Sequence, residues 1–153
     1  MTVRLSGPPQ RDGLPLVNRR LLRSRAVRVL RSLSRSRSEL SIALVDDDEM
    51  QTLNAAWRGR ERPTDVLSFS MLEGEGAEHR GPLLGDVVID IETAARQARQ
   101  RRRGLDEELA RLLIHGTLHL LGHDHEAEAE AREMQREERR VWRAVRESER
   151  DDG

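Results

Sequence analysis

Between Leu109 and Leu121 the chain reads LARLLIHGTLHLL, an apolar run interrupted mainly by Arg111, His115, Gly116, Thr117 and His119. A helix that is apolar on nearly every side has to be buried. The segment therefore predicts a central helix with other elements packed around it. Asp106, just after Gly104, is its expected N-cap. Gly122 is its expected stop, because glycine accepts the left-handed conformation that ends helices.

The flanking sequence supplies those elements. A short strand is predicted at Val3–Leu5, and Val17 to Leu33 carries Leu21, Leu22, Ala26, Val29, Leu30 and Leu33 at helical intervals. Glu39–Val45 alternates and reads as a strand. The acidic run Asp46–Glu49 caps a helix through Trp57. Strands are predicted near Val66–Ser70 and over LLGDVVID, where Gly85 marks a bulge or a close backbone approach. Asp90 caps a helix from about Ile91 to Arg103, and a final polar helix runs from about Glu126 to Glu149. The expectation is one α+β domain over residues 1–153: a small mixed sheet of three or four strands, about five helices, and a metal-binding helix ended by glycine. Residues 1–38 and 126–153 carry no diagnostic motif.

Composition excludes several chemistries. The chain has no cysteine, hence no thiolate nucleophile and no cysteine-ligated zinc. Its cationic side chains are all arginine, so a Schiff-base or phosphate-loop lysine is ruled out. With no apolar stretch of membrane-spanning or signal-peptide length, a soluble cytoplasmic protein is expected. The net charge of -1 points to no anionic partner, yet the charges are segregated. Arginines gather at 19–37 and 96–103, acids at 46–49 and after Glu126, a pattern that can steer a polyanion to one face.

Four of the five histidines fall within HGTLHLLGHDH, residues 115–125. His115 and His119 share one helical face, separated by about 6 Å of rise and about 40° of rotation. His125 follows the glycine stop and can close a triangle. A lone histidine in a buried helix would be a hydrogen-bonded core residue. Three around one turn are better satisfied by a shared cation, since each buried polar group needs a partner. Three neutral imidazoles favour one zinc ion with a fourth place open, the arrangement of catalytic rather than structural sites. His123 is expected on the outer side of the turn and His79 in an exposed loop. Helical zinc proteases carry a glutamate base directly after the first histidine. Here Gly116 stands there, towards the packing face of Leu105, Leu109, Leu113 and Leu120, which disfavours proteolysis.

HGTLHLLGHDH, together with LNAAWRGRERPTDVLSF at 53–69 and LGDVVI at 84–89, resembles the bacterial YbeY-type endoribonucleases, the rRNA maturation factors. The resemblance runs from about Glu39 to His125. It departs at Ser70, where the family often has proline. It implies a zinc-dependent, single-strand-specific endoribonuclease acting in small-subunit (16S) rRNA processing and ribosome quality control. Its partners would be rRNA, the small ribosomal subunit and assembly factors, with neither DNA nor a membrane. The family's ligands carry over to His115, His119 and His125, and its functional arginine, facing the metal cleft, to Arg58. A guanidinium there suits the charge that develops on phosphoryl oxygens. Asp65, Asp86 and Asp124 stay open between a role at the site and a role in a turn or strand edge. The competing readings are a zinc peptidase lacking its glutamate base and a non-enzymatic, zinc-stabilised ribosome-assembly module. With two tryptophans, one phenylalanine and no tyrosine, RNA would be held by arginine–phosphate contacts rather than by stacking.

Overall fold

The computed structural model describes residues 3–58, 64–71, 83–123 and 127–152, with the side chains of Trp57 and Arg58 outside the description. In chain order the elements are β1 (Val3–Ser6), α1 (Arg19–Ser32), β2 (Glu39–Val45), α2 (Asp47–Arg58), β3 (Val66–Ser70), β4 (Leu83–Asp90), α3 (Ile91–Gln100), α4 (Leu105–Leu120) and α5 (Glu128–Asp152). The sheet order is β1-β2-β4-β3. β1 and β4 flank β2 in parallel, and β3 runs antiparallel to β4. The fold is the expected α+β arrangement.

Side chains on a strand alternate between faces, and each face of this sheet has its own cover. Leu40, Ile42, Leu44, Val87 and Ile89 point to a core shared with Leu22, Ala26 and Leu30 of α1 and Leu109, Leu112, Leu113 and Leu120 of α4. Val45, Leu67 and Val88 point the other way, against Met50 of α2. α5 lies outside α1 and α4, where Met134, Val141 and Val145 meet Val29, Ile114 and Leu118. Covered by the sheet, α1 and α5, α4 is buried as its sequence requires. Each fully buried leucine contributes about 1.5–3 kcal/mol.

The join between α4 and β3 is unusually close. A Cβ on Gly116 would meet Val87 Cγ1 at 2.8 Å, Ser68 Oγ at 3.1 Å and Val66 Cγ2 at 3.2 Å. The hydroxyls of Ser68 and Ser70 donate to the carbonyls of Gly116 (2.9 Å) and Leu120 (3.1 Å). Gly85 has φ +148 and sits at the register shift between Glu39 and Leu40. A Cβ there would lie 2.2 Å from the backbone oxygen of Phe69. Both roles foreseen for Gly85, bulge and close approach, are present. The helix start differs from expectation: Gly104 is the N-cap of α4 and no side chain caps it. Asp106 stands in the first turn instead, where a carboxylate still meets the positive helix end.

At the edge where β2 and β4 end, Asp90 does cap α3, accepting from the amides of Glu92 (3.0 Å) and Thr93 (3.3 Å). Its side chain is buried and hydrogen-bonded to Asp47, which Arg96 grips through two contacts of 2.9 and 3.0 Å. Burial first, and then Asp47, push the Asp90 carboxyl up to about 7, whereas Arg96 first draws Asp47 down to about 2. Among the described residues, no helix is long and apolar enough to cross a membrane.

Two expected outcomes follow. Gly85→Ala should lower the thermal unfolding midpoint more than Gly116→Ala. The first strains a positive φ and strikes backbone, while the second strikes side chains and regains about 1 kcal/mol of helix propensity. The raised Asp90 stabilises the folded state fully below its unfolded pKa near 4, and that contribution is lost as pH rises towards about 7. The lowered Asp47 acts in the opposite sense, losing stability as pH falls from near 4 towards about 2. Denaturant titrations from pH 3 to 8 should therefore show a decline between about 4 and 7 that Asp90→Asn abolishes. An unchanged profile in that variant would remove the assignment.

Candidate metal centre

α4 delivers His115 and His119 from one face, one turn apart. Their Nε2 atoms are 3.1 Å apart, with ring centroids 4.6 Å apart and planes at 74°. Both rings thus bring the same nitrogen, Nε2, to the contact. His115 Nδ1 lies 3.3 Å from Oε2 of Glu138, brought in by α5. An ionised carboxylate only accepts, so this contact puts the proton on Nδ1 and leaves Nε2 of a neutral His115 as a bare lone pair. Two nitrogens on one tetrahedral zinc, bonded at about 2.0–2.1 Å, stand about 3.3 Å apart. The observed spacing fits that geometry, and it equally fits a hydrogen bond between the rings. The side chains of His115 and Glu138 are 31% and 24% exposed, so an ion can reach them from solvent.

α4 ends beside this pair. The amide of Gly122 (φ +95) donates to the carbonyl of His119 at 3.0 Å, and that of His123 to Leu118 at 3.0 Å. This is the paired closure of a glycine-terminated helix. It turns the chain three residues before His125. His125 and Asp124 lie outside the described residues, as does His79. Among the described residues, no group of three or more metal-ligating side chains comes together. The described donor set is two imidazoles whose Nε2 atoms lie 3.1 Å apart. Arg58 closes α2, and its side chain lies outside the description. His123 is described, and its charge adds to that of Arg140 in holding the Glu137 carboxyl below its ordinary range, the Arg140 hydrogen bond being the main cause.

Gly116 faces Val87 and Ser68, away from the histidine pair. A glutamate base at that position has no room, which removes the helical-protease arrangement on packing grounds. Asp65 is tied elsewhere: its carbonyl accepts from Asp90 N at 3.0 Å and its carboxylate from Gln97 Nε2 at 3.3 Å. Asp86 alternates with Val87 and so belongs to the α2 face of the sheet.

Several arginines of the two runs hold elements together. In α1, Arg19 and Arg23 donate to the carbonyls of Leu5 (2.9 Å) and Val3 (2.8 Å). Arg25 is buried against Glu149 at 2.8 Å, and Arg28 pairs with Asp152 at 2.7 Å. Arg96 is held by Asp47. Glu138 was missed by the sequence reading. The signal for it was its spacing, four residues after Met134 and three before Val141, which puts it on the apolar stripe of the last helix.

The family pattern described as "Endoribonuclease YbeY" matches residues 17–146. The chain belongs to the endoribonuclease YbeY family. The curated endoribonuclease YbeY of an Anaeromyxobacter species is 52% identical over 94% of this chain and 72% of its own length. That of Anaeromyxobacter dehalogenans is also 52% identical, over 82% of this chain and 63% of its own. That of Syntrophotalea carbinolica is 44% identical over 80% and 83%. The solution structure of a Thermotoga maritima protein shares the fold, with a TM-score of 0.60 at 24% identity over 99% of this chain and 97% of that one. Cutting within an RNA chain is the activity that the family name carries.

The Glu138 contact has a direct consequence in the metal-free protein. Nitrogen-15 NMR of the imidazoles should find His115 with its proton on Nδ1, and Glu138→Ala should shift it to a tautomer mixture. Finding the proton on Nε2 in the unsubstituted chain would overturn the assignment.

Proposed function

We propose that this chain is a zinc-dependent endoribonuclease that cuts single-stranded RNA, acting on small-subunit rRNA during ribosome maturation and quality control in the cytoplasm. His115, His119 and His125 would hold one ion, and Arg58 would grip the phosphoryl oxygens. The observation that carries the reading is the pair of Nε2 atoms 3.1 Å apart, with Glu138 fixing the tautomer of one of them. Family membership supplies the RNA. Zinc, when bound, supplies Lewis acidity at a phosphoryl oxygen.

The chain's own residues supply the rest. Glu138 orients His115 and raises its basicity, which in metal sites is worth about 10–100-fold in affinity. Gly122 turns the backbone so that His125 can return towards the pair. α2 begins at Asp47, at the edge where β2 and β4 end, and packs back across β4. The role of Arg58 rests on family membership and on its place as the last residue of α2, the helix packed on β4. Its guanidinium stays charged at any working pH and suits two oxygens of one phosphate.

The test is metal content and cleavage measured together. Purified protein should carry about one zinc per chain and cut single-stranded RNA. His115→Ala should lose both. Arg58→Ala should keep the metal and lose about 10²–10³-fold in rate. Undiminished cleavage by a metal-free His115→Ala, His119→Ala double variant, purified in parallel to control for contaminating RNase, would sink the reading. Normal RNA processing in cells carrying a folded Arg58→Ala protein would favour the non-enzymatic assembly module.

A further inference from the structure

A cavity of about 390 Å³ lies between α4 and α5, lined among others by Arg103, Glu107, Arg111, Glu138, Arg139 and Trp142. It begins beside the histidine pair. Arg111 stands one turn before His115, about 6 Å along the helix axis, and Glu138 both holds His115 Nδ1 and forms part of the cavity wall.

The α4 wall is organised by Glu108. Its side chain is 0% exposed and meets three guanidiniums, those of Arg101 at 3.1 Å, Arg103 at 3.6 Å and Arg111 at 3.3 Å. One carboxylate cannot neutralise three guanidiniums. Glu107 meets Arg103 as well, at 3.7 Å. On the facing wall Arg139 has no ion pair among the described residues, and Glu138 is turned to His115. The four arginines exceed the three glutamates by one positive charge, and a dication at the histidines would add two more. A buried anchor also fixes where the arginines reach, so less side-chain freedom is lost when they close on an anion. Trp142 is not a free stacking surface, because the guanidiniums of Arg25 and Arg146 already lie 5.1 and 5.5 Å from its ring centroid.

We infer that this groove binds the phosphate backbone of a single RNA strand running past the histidine pair, without reading its bases. The inference rests on the ribonuclease reading for the identity of the strand. The groove itself is argued from charge, anchoring and position.

Arg139 is the residue to vary, since it supports no described ion pair. Binding of a fluorescently labelled single-stranded RNA to the metal-stripped full chain, followed by anisotropy over a salt series, gives affinity and salt slope. Arg139→Ala should weaken binding about fivefold and reduce the slope of log affinity against log salt by about 0.7 for one lost phosphate contact. Arg139→Glu should weaken it further. Arg132→Ala, on the same helix but outside the groove, should change neither, and thermal unfolding of each variant checks the fold. Wild-type affinity and slope in both Arg139 variants would overturn the proposal. So would an equal loss in Arg132→Ala, or an Arg139 dependence seen only with polyglutamate as the probe. The outcomes separate the two readings. Metal-dependent cleavage with Arg139-independent binding removes the groove and leaves the nuclease. Arg139-dependent binding without any metal-dependent cleavage leaves the groove and removes the nuclease.

Discussion

The contact of α4 with β3 sets the position of everything functional. Helix and strand have different repeats, yet four helical residues advance about 6 Å and two strand residues about 6.6 Å. That near-match lets Ser68 and Ser70 reach the carbonyls of Gly116 and Leu120 in step. The two hydrogen bonds fix α4 along β3, and the missing side chain at Gly116 lets it come close enough to make them. Because Gly116 follows His115 directly, pressing it against β3 and β4 leaves His115 on another side of α4, where α5 brings Glu138 to it. The same glycine that excludes a protease base therefore also sets the direction of the two imidazoles.

Much of this was legible in the sequence because local rules and burial agreed. The alternation in Glu39–Val45, the strand at LLGDVVID, the Asp90 cap and the Gly122 stop each depend on near neighbours, and each is found. The start of α4 was misread because aspartate is a stronger N-cap type than glycine. The chain places Gly104 there and leaves the orphan amides to be met by the acidic first turn of Asp106, Glu107 and Glu108. Glu138 was illegible for a different reason. It lies in a helix with acids and arginines at most positions, and only the seating of Met134, Val141 and Val145 on Ile114 and Leu118 decides which of them faces His115. The spacing from Met134 and Val141 puts Glu138 on the buried stripe, but its partner is tertiary and the spacing alone does not name it.

The arginines show how far charge counting can mislead. Eight of them between residues 19 and 37, with no acid, looked like an open basic face. Arg25 instead passes beneath α5 to Glu149, and Arg19 and Arg23 tie α1 to carbonyls of β1. Two of the eight meet acids from the far end of the chain, Arg25 at Glu149 and Arg28 at Asp152, so part of the local excess is compensated on folding. The reverse holds at Glu108. It reads as one more acid in a helix start, yet burial turns it into an organiser of surplus positive charge.

Opposite ends of β4 hold opposite electrostatic characters. Asp46, Asp47, Asp90 and Glu92 gather at the end marked by Asp90, where Arg11 and Arg96 compensate them. Gly85, beneath Leu120, lies five residues away, about 17 Å along the strand. That exceeds the screening length of about 8 Å in physiological salt, so the acidic edge exerts little pull or repulsion at the histidines. Beside the histidine pair Glu138 directs its carboxylate at His115 Nδ1, while the neighbouring groove carries Arg103, Arg111 and Arg139. A chain with net charge near zero can thus offer a polyanion a local attraction where arginines outnumber the acids beside them, as they do around Glu108. The segregation seen along the sequence becomes useful only through the strand that separates the two ends.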